Sequence, residues 1–185
     1  MNQVRLNAGQ WRSRVLKFPD TEGLRPTADR VRQTLFNWLG QDLTGRCCLD
    51  LFAGTGALGF EALSRNARQV TMLEWARAPY QALLQNKAML GAALADIRQQ
   101  DALQFLAHNQ QRFDVIFCDP PYRKQWLDQL LPRLPSHLAP AGYLYVEAEY
   151  ALKSGATWQV VKSGKAGQVY YHLLQPATPA SEDSA

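Results

Sequence analysis

A chain of 185 residues is long enough for one domain with a full core and short for two, and its 46% apolar and 19% charged composition suits a globular protein in water. It holds no run of about 18 uncharged apolar residues and no basic-then-apolar leader, which points away from a membrane span or a secreted chain and leads us to expect a cytoplasmic protein. The net charge of +4 is localised: residues 1–32 carry seven basic and three acidic side chains, while the remaining 153 residues hold 13 of each sign. Such a basic segment beside a neutral domain suits either a phosphate backbone or an ordinary solvated surface. The expected organisation is a basic hairpin arm over 1–22, one domain over 23–174, and a disordered Ala-, Ser- and Pro-rich tail over 175–185.

Val4 to Leu6 and Arg14 to Phe18 flank the turn-forming Asn7-Ala8-Gly9-Gln10, which predicts a short hairpin carrying Arg5, Arg12, Arg14, Lys17 and Trp11. Basic side chains interleaved with an indole can grip phosphates and stack on an unpaired base; alternatively, Trp11 packs on the domain. Next, Thr27 stands as a helix N-cap before a stripe of Val31, Leu35 and Trp38, with Gly40 at the stop. Arg25, Arg30 and Arg32 gather at the start of that helix, where they oppose its dipole, so an anionic partner or an acidic site residue is expected there.

Arg46 to Phe52 reads as a strand that runs into Asp50-Leu51-Phe52-Ala53-Gly54-Thr55-Gly56-Ala57-Leu58-Gly59, with a helix over 57–65. Three glycines at this spacing match a dinucleotide turn and alone carry little weight. The next strand, Gln69 to Leu73, ends at Glu74, whose carboxylate can accept from both hydroxyls of a ribose. Together these favour a nucleoside site over a capped loop with a surface Glu. A helix over 77–90 and a brief strand near 96–99 lead to Asp101, which fits a helix N-cap before 102–109, a contact to an adenine amine, or both.

The stretch Asp114 to Cys118 is a buried strand halted by Asp119-Pro120-Pro121-Tyr122. Asp119 stands at the carboxyl end of its strand, held extended by the following proline, with a ring close behind. An acid and a turn carbonyl can accept the two hydrogens of a planar amine while Tyr122 stacks on its plane; a simple strand end with a Tyr over the core is the alternative. A helix from about Lys124 to Leu134, a turn at Pro140-Ala141-Gly142, and a strand Tyr143 to Ala148 follow. Strands Trp158 to Lys162 and Gln168 to Leu173 around a turn at Ser163 to Gly167 then close the sheet antiparallel. Cys47, Cys48 and Cys118 lie inside apolar runs without spaced Cys or His partners; they read as core residues, and no metal site is expected.

The Asp50 to Glu61 turn, Glu74, Asp101 and Asp119-Pro120-Pro121-Tyr122 resemble the successive motifs of class I methyltransferases, and the Asp-Pro-Pro-Tyr form resembles the subset acting on exocyclic or amide nitrogens. Gly23-Leu24-Arg25-Pro26-Thr27 running into Asp29-Arg30-Val31-Arg32 and Leu35-Phe36-Asn37-Trp38-Leu39, after a basic hairpin, is similar to the RsmD family of bacterial enzymes that methylate N2 of a guanine in 16S ribosomal RNA. The resemblance spans residues 3–174. It implies an α/β, Rossmann-like fold with a seven-stranded, mostly parallel sheet, an antiparallel last strand and an N-terminal β-hairpin extension. It also implies S-adenosylmethionine as cofactor, with Asp50, Gly54 and Gly56 at its methionine part, Glu74 at its ribose, and Asp101 with Ala102 at its adenine. Asp119, the Pro120 carbonyl and Tyr122 would hold the target base. Arg5, Trp11, Arg12, Arg14, Lys17, Arg25, Arg30 and Arg32 would meet RNA. The implied partner is 16S ribosomal RNA in the small subunit, met by a monomer; no separate DNA-recognition domain fits in this length.

Overall fold

The computed structural model describes residues 1–122 and 125–178. A two-stranded antiparallel hairpin, β1 (Asn2–Arg5) and β2 (Val15–Phe18), precedes α1 (Asp29–Leu39). The chain then alternates through β3 (Cys47–Asp50), α2 (Ala57–Ser64), β4 (Gln69–Leu73), α3 (Arg77–Leu90), β5 (Ala95–Arg98), α4 (Ala102–His108), β6 (Phe113–Cys118) and α5 (Trp126–Leu130). A 3-10 turn at Leu134–His137 leads into β7 (Leu138–Ala148), β8 (Trp158–Ala166) and β9 (Val169–Pro176). The seven strands lie in the order β5-β4-β3-β6-β7-β9-β8. Pairing is parallel as far as β7, and β9 runs antiparallel to both its neighbours. This is the Rossmann-like sheet expected from the sequence.

Helices cover both faces of the sheet, so its central strands are apolar on both sides. In β6, Val115 and Phe117 join the core beneath α1, α2 and α3, whereas Ile116 and Cys118 join the core beneath α4 and α5. That split follows from the two-residue period of a strand. From β3 the chain winds outward to β4 and β5, then returns to place β6 on the other side of β3. The crevice above the carboxyl ends of β3 and β6 is therefore the topological switch point, where α/β sheets bind their ligands.

The hairpin is docked on this domain. Val4, Leu6, Leu16 and Phe18 belong to the same core cluster as Leu35, Phe36 and Phe60. Glu61 of α2, fully buried, accepts the Asn7 and Ala8 amides at 2.9 and 3.0 Å and Arg65 Nε at 3.0 Å. Asn86 of α3 takes both the N–H and the carbonyl of Lys17, at 3.2 and 2.9 Å. Arg32 is fully buried, donates to the Arg5 carbonyl at 2.8 Å, pairs with Asp29, and lies 4.0 Å from Glu61. The expectation that Arg32 meets RNA is thus corrected: its charge is spent holding the hairpin. Trp11 is half-buried and packs against the same core, the second of the two readings open for it.

Four local expectations also change. Thr27 does not cap α1; Ala28 occupies that position without a side-chain bond, and Thr27 turns its hydroxyl elsewhere. The helix expected from Lys124 to Leu134 is shorter, because Gln125 is left-handed and α5 ends by Leu130, short of Pro132; residues 123 and 124 lie outside the described residues. Pro140-Ala141-Gly142 is a bulge inside β7 rather than a turn before it, with Ala141 at φ 61° and a register shift against β6. Finally, the β8–β9 turn narrows to Gly167-Gln168, since Ala166 pairs with Val169. Gly164 is needed inside the strand instead: a Cβ there would lie 2.3 Å from the ring of Tyr171, which stacks on Trp38 at 5.4 Å. Gln175 and Pro176 complete β9, and residues 179–185 of the expected tail lie outside the described residues.

Candidate active site

The carboxyl rim of the parallel strands carries a row of acids. Asp50 ends β3, Glu74 follows β4, Asp119 follows β6, and Glu147 lies near the end of β7. Asp101 stands beyond β5, where it caps α4 by accepting the Gln104 amide at 3.0 Å. Register aligns the central members: Asp50 pairs with Phe117 and Met72, and Cys118 pairs with Val146, so the residues after that pair, Asp119 and Glu147, emerge side by side.

The glycine turn closes the space between Asp50 and Glu74. Gly54, at φ 52°, sends its amide to Glu74 Oε2 at 3.0 Å, and the Ala76 amide meets Oε1 at 2.7 Å. Gly56, at φ 80°, is the left-handed N-cap of α2; a Cβ there would collide with Phe60 and Leu83 at 2.6 and 2.7 Å. A Cβ at Gly54 would stand 3.0 Å from Leu24 Cδ1, so the segment before α1 lies across the turn.

These acids are poorly compensated. Burial lifts Asp50 to about 7 against the pull of the Gly59 and Phe52 amides, with the charges of Glu74 and Glu147 adding to the rise. Burial raises Glu74 as well. Asp119 is held well above the usual carboxylate range by desolvation first, then by the charges of Glu147 and Asp50. Burial likewise raises Glu147, although the Thr27 and Tyr145 hydroxyls both bond to it. Among the described residues, none of the ion pairs involves these four carboxylates. Buried and half-buried acids with no paired cation among the described residues are costly in the free protein and suited to a ligand that brings positive charge.

Around this rim stand rings. Pro120 is buried, and Tyr122, 44% exposed, has its hydroxyl pushed up to about 12 by burial and then by Asp119, Glu147 and Glu149. Trp75, directly after Glu74, is 70% exposed, which makes it an unusual indole beside a ligand crevice. Sequence reasoning missed Trp75 and Glu147. An aromatic next to Glu74 was the available signal for the first, whereas nothing local marks the second. Arg5, Arg12, Arg14, Lys17, Arg25 and Arg30 are exposed; Arg5 and Arg14 each donate to a backbone carbonyl, of Ser13 and Met89, at 2.9 and 3.3 Å. Among the described residues, no group of three or more His, Cys, Asp or Glu is arranged to hold a metal ion, and no helix is long and apolar enough to cross a membrane.

The family model described as conserved hypothetical protein 95 matches residues 4–175. The chain is 42% identical to ribosomal RNA small subunit methyltransferase D of Escherichia coli strain K12, over 98% of this chain and 94% of that protein. It is also 42% identical to the protein of that name from Haemophilus influenzae, over 94% of each. A solved structure from Escherichia coli superposes with a TM-score of 0.86 at 44% identity, covering 95% of this chain and 98% of the other.

Proposed function

The chain belongs to the RsmD family, and from that membership we propose that it transfers a methyl group from S-adenosylmethionine to the exocyclic N2 of a guanine in 16S ribosomal RNA, acting as a monomer on the assembled or assembling small subunit in the cytoplasm. The observation that carries this reading is the row of under-compensated acids running from the glycine turn to Asp119-Pro120-Pro121-Tyr122.

The residues present fit such a cofactor. Gly54 and Gly56 keep side chains out of the turn, Glu74 stands 3.0 Å from the Gly54 amide with lone pairs left for ribose hydroxyls, and the acids complement a sulfonium and an ammonium. Asp50 and the glycine backbone would take the methionine part, Glu74 the ribose, and Asp101 with Ala102 the adenine, whose free face the exposed Trp75 would cover. When bound, the cofactor supplies a strongly electrophilic methyl. Replacing Trp75 with alanine is expected to weaken cofactor binding about tenfold, read by calorimetry, since stacking on a base is worth about 1–3 kcal/mol.

The chain's own task is alignment. The guanine N2 lone pair is delocalised into its ring, so hydrogen bonds from the two N2 hydrogens to Asp119 and the Pro120 carbonyl would turn the lone pair toward the methyl. Asp119, in its ionised form, is suited to offset the positive charge that grows on nitrogen and to receive the proton afterwards, because desolvation first and the charges of Glu147 and Asp50 second raise its proton affinity. Tyr122 offers a half-exposed ring to a base drawn out of its stack.

For RNA, the exposed Arg5, Arg12, Arg14 and Lys17, on a hairpin fixed to the domain rather than swinging free, with Arg25 before α1 and Arg30 in its first turn, supply phosphate contacts. Converting Arg12 and Arg14 to alanine is expected to flatten the salt dependence of RNA binding by roughly 1.4–1.8 in log–log slope while leaving cofactor affinity unchanged. The proposed activity is tested by label transfer from S-adenosylmethionine to ribosomal RNA, DNA and protein offered in parallel. Label confined to RNA supports it; label confined to DNA or protein, or in none while the cofactor binds, overturns it.

A further inference from the structure

Thr27 stands one residue before the helix cap and uses its hydroxyl at long range. Its Oγ1 donates to Glu147 Oε1 at 2.7 Å, across 120 residues of sequence, and the Tyr145 hydroxyl donates to the same oxygen at 2.9 Å. All three residues are buried, with Glu147 5% and Tyr145 0% exposed. A buried carboxylate needs its lone pairs taken, and the two hydroxyl donors satisfy Oε1 of this one. The bond fastens the segment between hairpin and α1 to the rim of β7. That segment lays Leu24 on Gly54 in the glycine turn.

Glu147 also belongs to the charged rim. Asp119 faces it from β6 and Asp50 from β3, and Tyr171 is its cross-strand partner on β9. Tyr145 and Thr27 are its hydrogen-bond donors, and Tyr122, beyond β6, feels its charge. Among the described residues no cation pairs with it.

We propose that Glu147 is a positioning residue of this site with two separable duties: it fastens the Leu24–Thr27 segment across the glycine turn, and it keeps a second carboxylate beside Asp119. The proposal rests on the methyl-transfer reading above. Fastening pre-orders one wall of the cofactor crevice, so that binding does not have to order it. The neighbouring charge favours a proton on Asp119, which makes Asp119 a better acceptor from the target amine near neutral pH.

Three variants separate the duties. Thr27→Val removes the donor and keeps the charge: amide exchange over residues 21–28 is expected to quicken about tenfold and cofactor affinity to fall about tenfold, with Thr27→Ser restoring both. Glu147→Gln keeps an oxygen for the two hydroxyls and removes the charge: exchange should stay near the parent value while the Asp119 carboxyl, followed by carbon NMR, titrates at lower pH. Glu147→Asp keeps the charge but withdraws it from Thr27, so the segment should loosen; it also supplies a fastening test should Glu147→Gln not fold. Parent-like exchange and affinity in Thr27→Val, or an unmoved Asp119 titration in Glu147→Gln, would overturn the proposal. Both readouts work without turnover, so a parent protein that binds cofactor but transfers no methyl would sink the functional reading and leave this one to be judged on its own results.

Discussion

Replacing Asp119 with alanine is expected to lower kcat about a thousandfold while leaving cofactor binding nearly intact. The reason is positional: Asp119 follows β6 directly, held extended by Pro120, and in the proposed function it meets the target base, whereas Gly54, Gly56 and Glu74, at the glycine turn, would meet the cofactor. Losing it removes the acceptor that orients the amine and the charge that meets the developing cation, both of which matter only as the methyl moves. Cofactor affinity should fall slightly, since one rim charge facing a cation is gone. Asp119→Asn keeps an acceptor oxygen without the charge, so its kcat should lie between parent and alanine variant. Single-turnover rates alongside calorimetry check the result. An alanine variant as fast as the parent would remove Asp119 from the mechanism.

The second large effect concerns stability. Glu61 is fully buried beneath the hairpin, where it takes two backbone amides from residues 7 and 8, bonds Arg65, and lies within 4.0 Å of Arg32, itself fully buried. Glu61→Ala leaves the Arg65 guanidinium and two amides in the interior without their anion, and Arg32 with Asp29 alone. Breaking a buried pair from one side typically costs about 3–5 kcal/mol, which for a domain of this size means a Tm lower by roughly 10 °C. The hairpin should loosen with it, so amide exchange at Asn7 and Ala8 should quicken more than at the β6 strand. A Tm within a degree or two of the parent would show that the hairpin is held by its apolar contacts alone.

These two residues differ in how plainly the sequence displays them. Asp119 is marked by local chemistry, since a β-branched apolar strand, an acid and two prolines can be read within nine residues. The glycine turn and Glu74 are equally local, and the helix over 77–90 and the strand over 69–73 were legible from their apolar periods. Glu61 looks like any acid in a helix, because its partners come from the hairpin 53 and 54 residues earlier. Arg32 misled for a related reason: a basic residue in a basic segment reads as surface, although this one is wholly enclosed. Thr27 has the residue type and place of a helix cap, yet a buried carboxylate 120 residues away claims its hydroxyl. Local preference yields in each instance to a charge that would otherwise be buried alone.

The same physics connects fold to function. One acid per central strand would be a poor way to stabilise an empty sheet, and the raised proton affinities of Asp50, Glu74, Asp119 and Glu147 record that cost. In the proposed function a cationic methyl donor would offset it on one side, and an amine acquiring charge would offset it on the other. The rim would thus favour cofactor binding and the transition state with a single set of charges.

The most direct test of this account is nucleoside analysis of 16S RNA after the protein has acted, with labelled S-adenosylmethionine, on small subunits that lack their native methylation, beside naked 16S RNA. The account predicts label in N2-methylguanosine, with more on the particle than on the naked RNA if the fixed hairpin and rim read a folded surface. Label in any other nucleoside, or none in either substrate while the cofactor is bound, would contradict it.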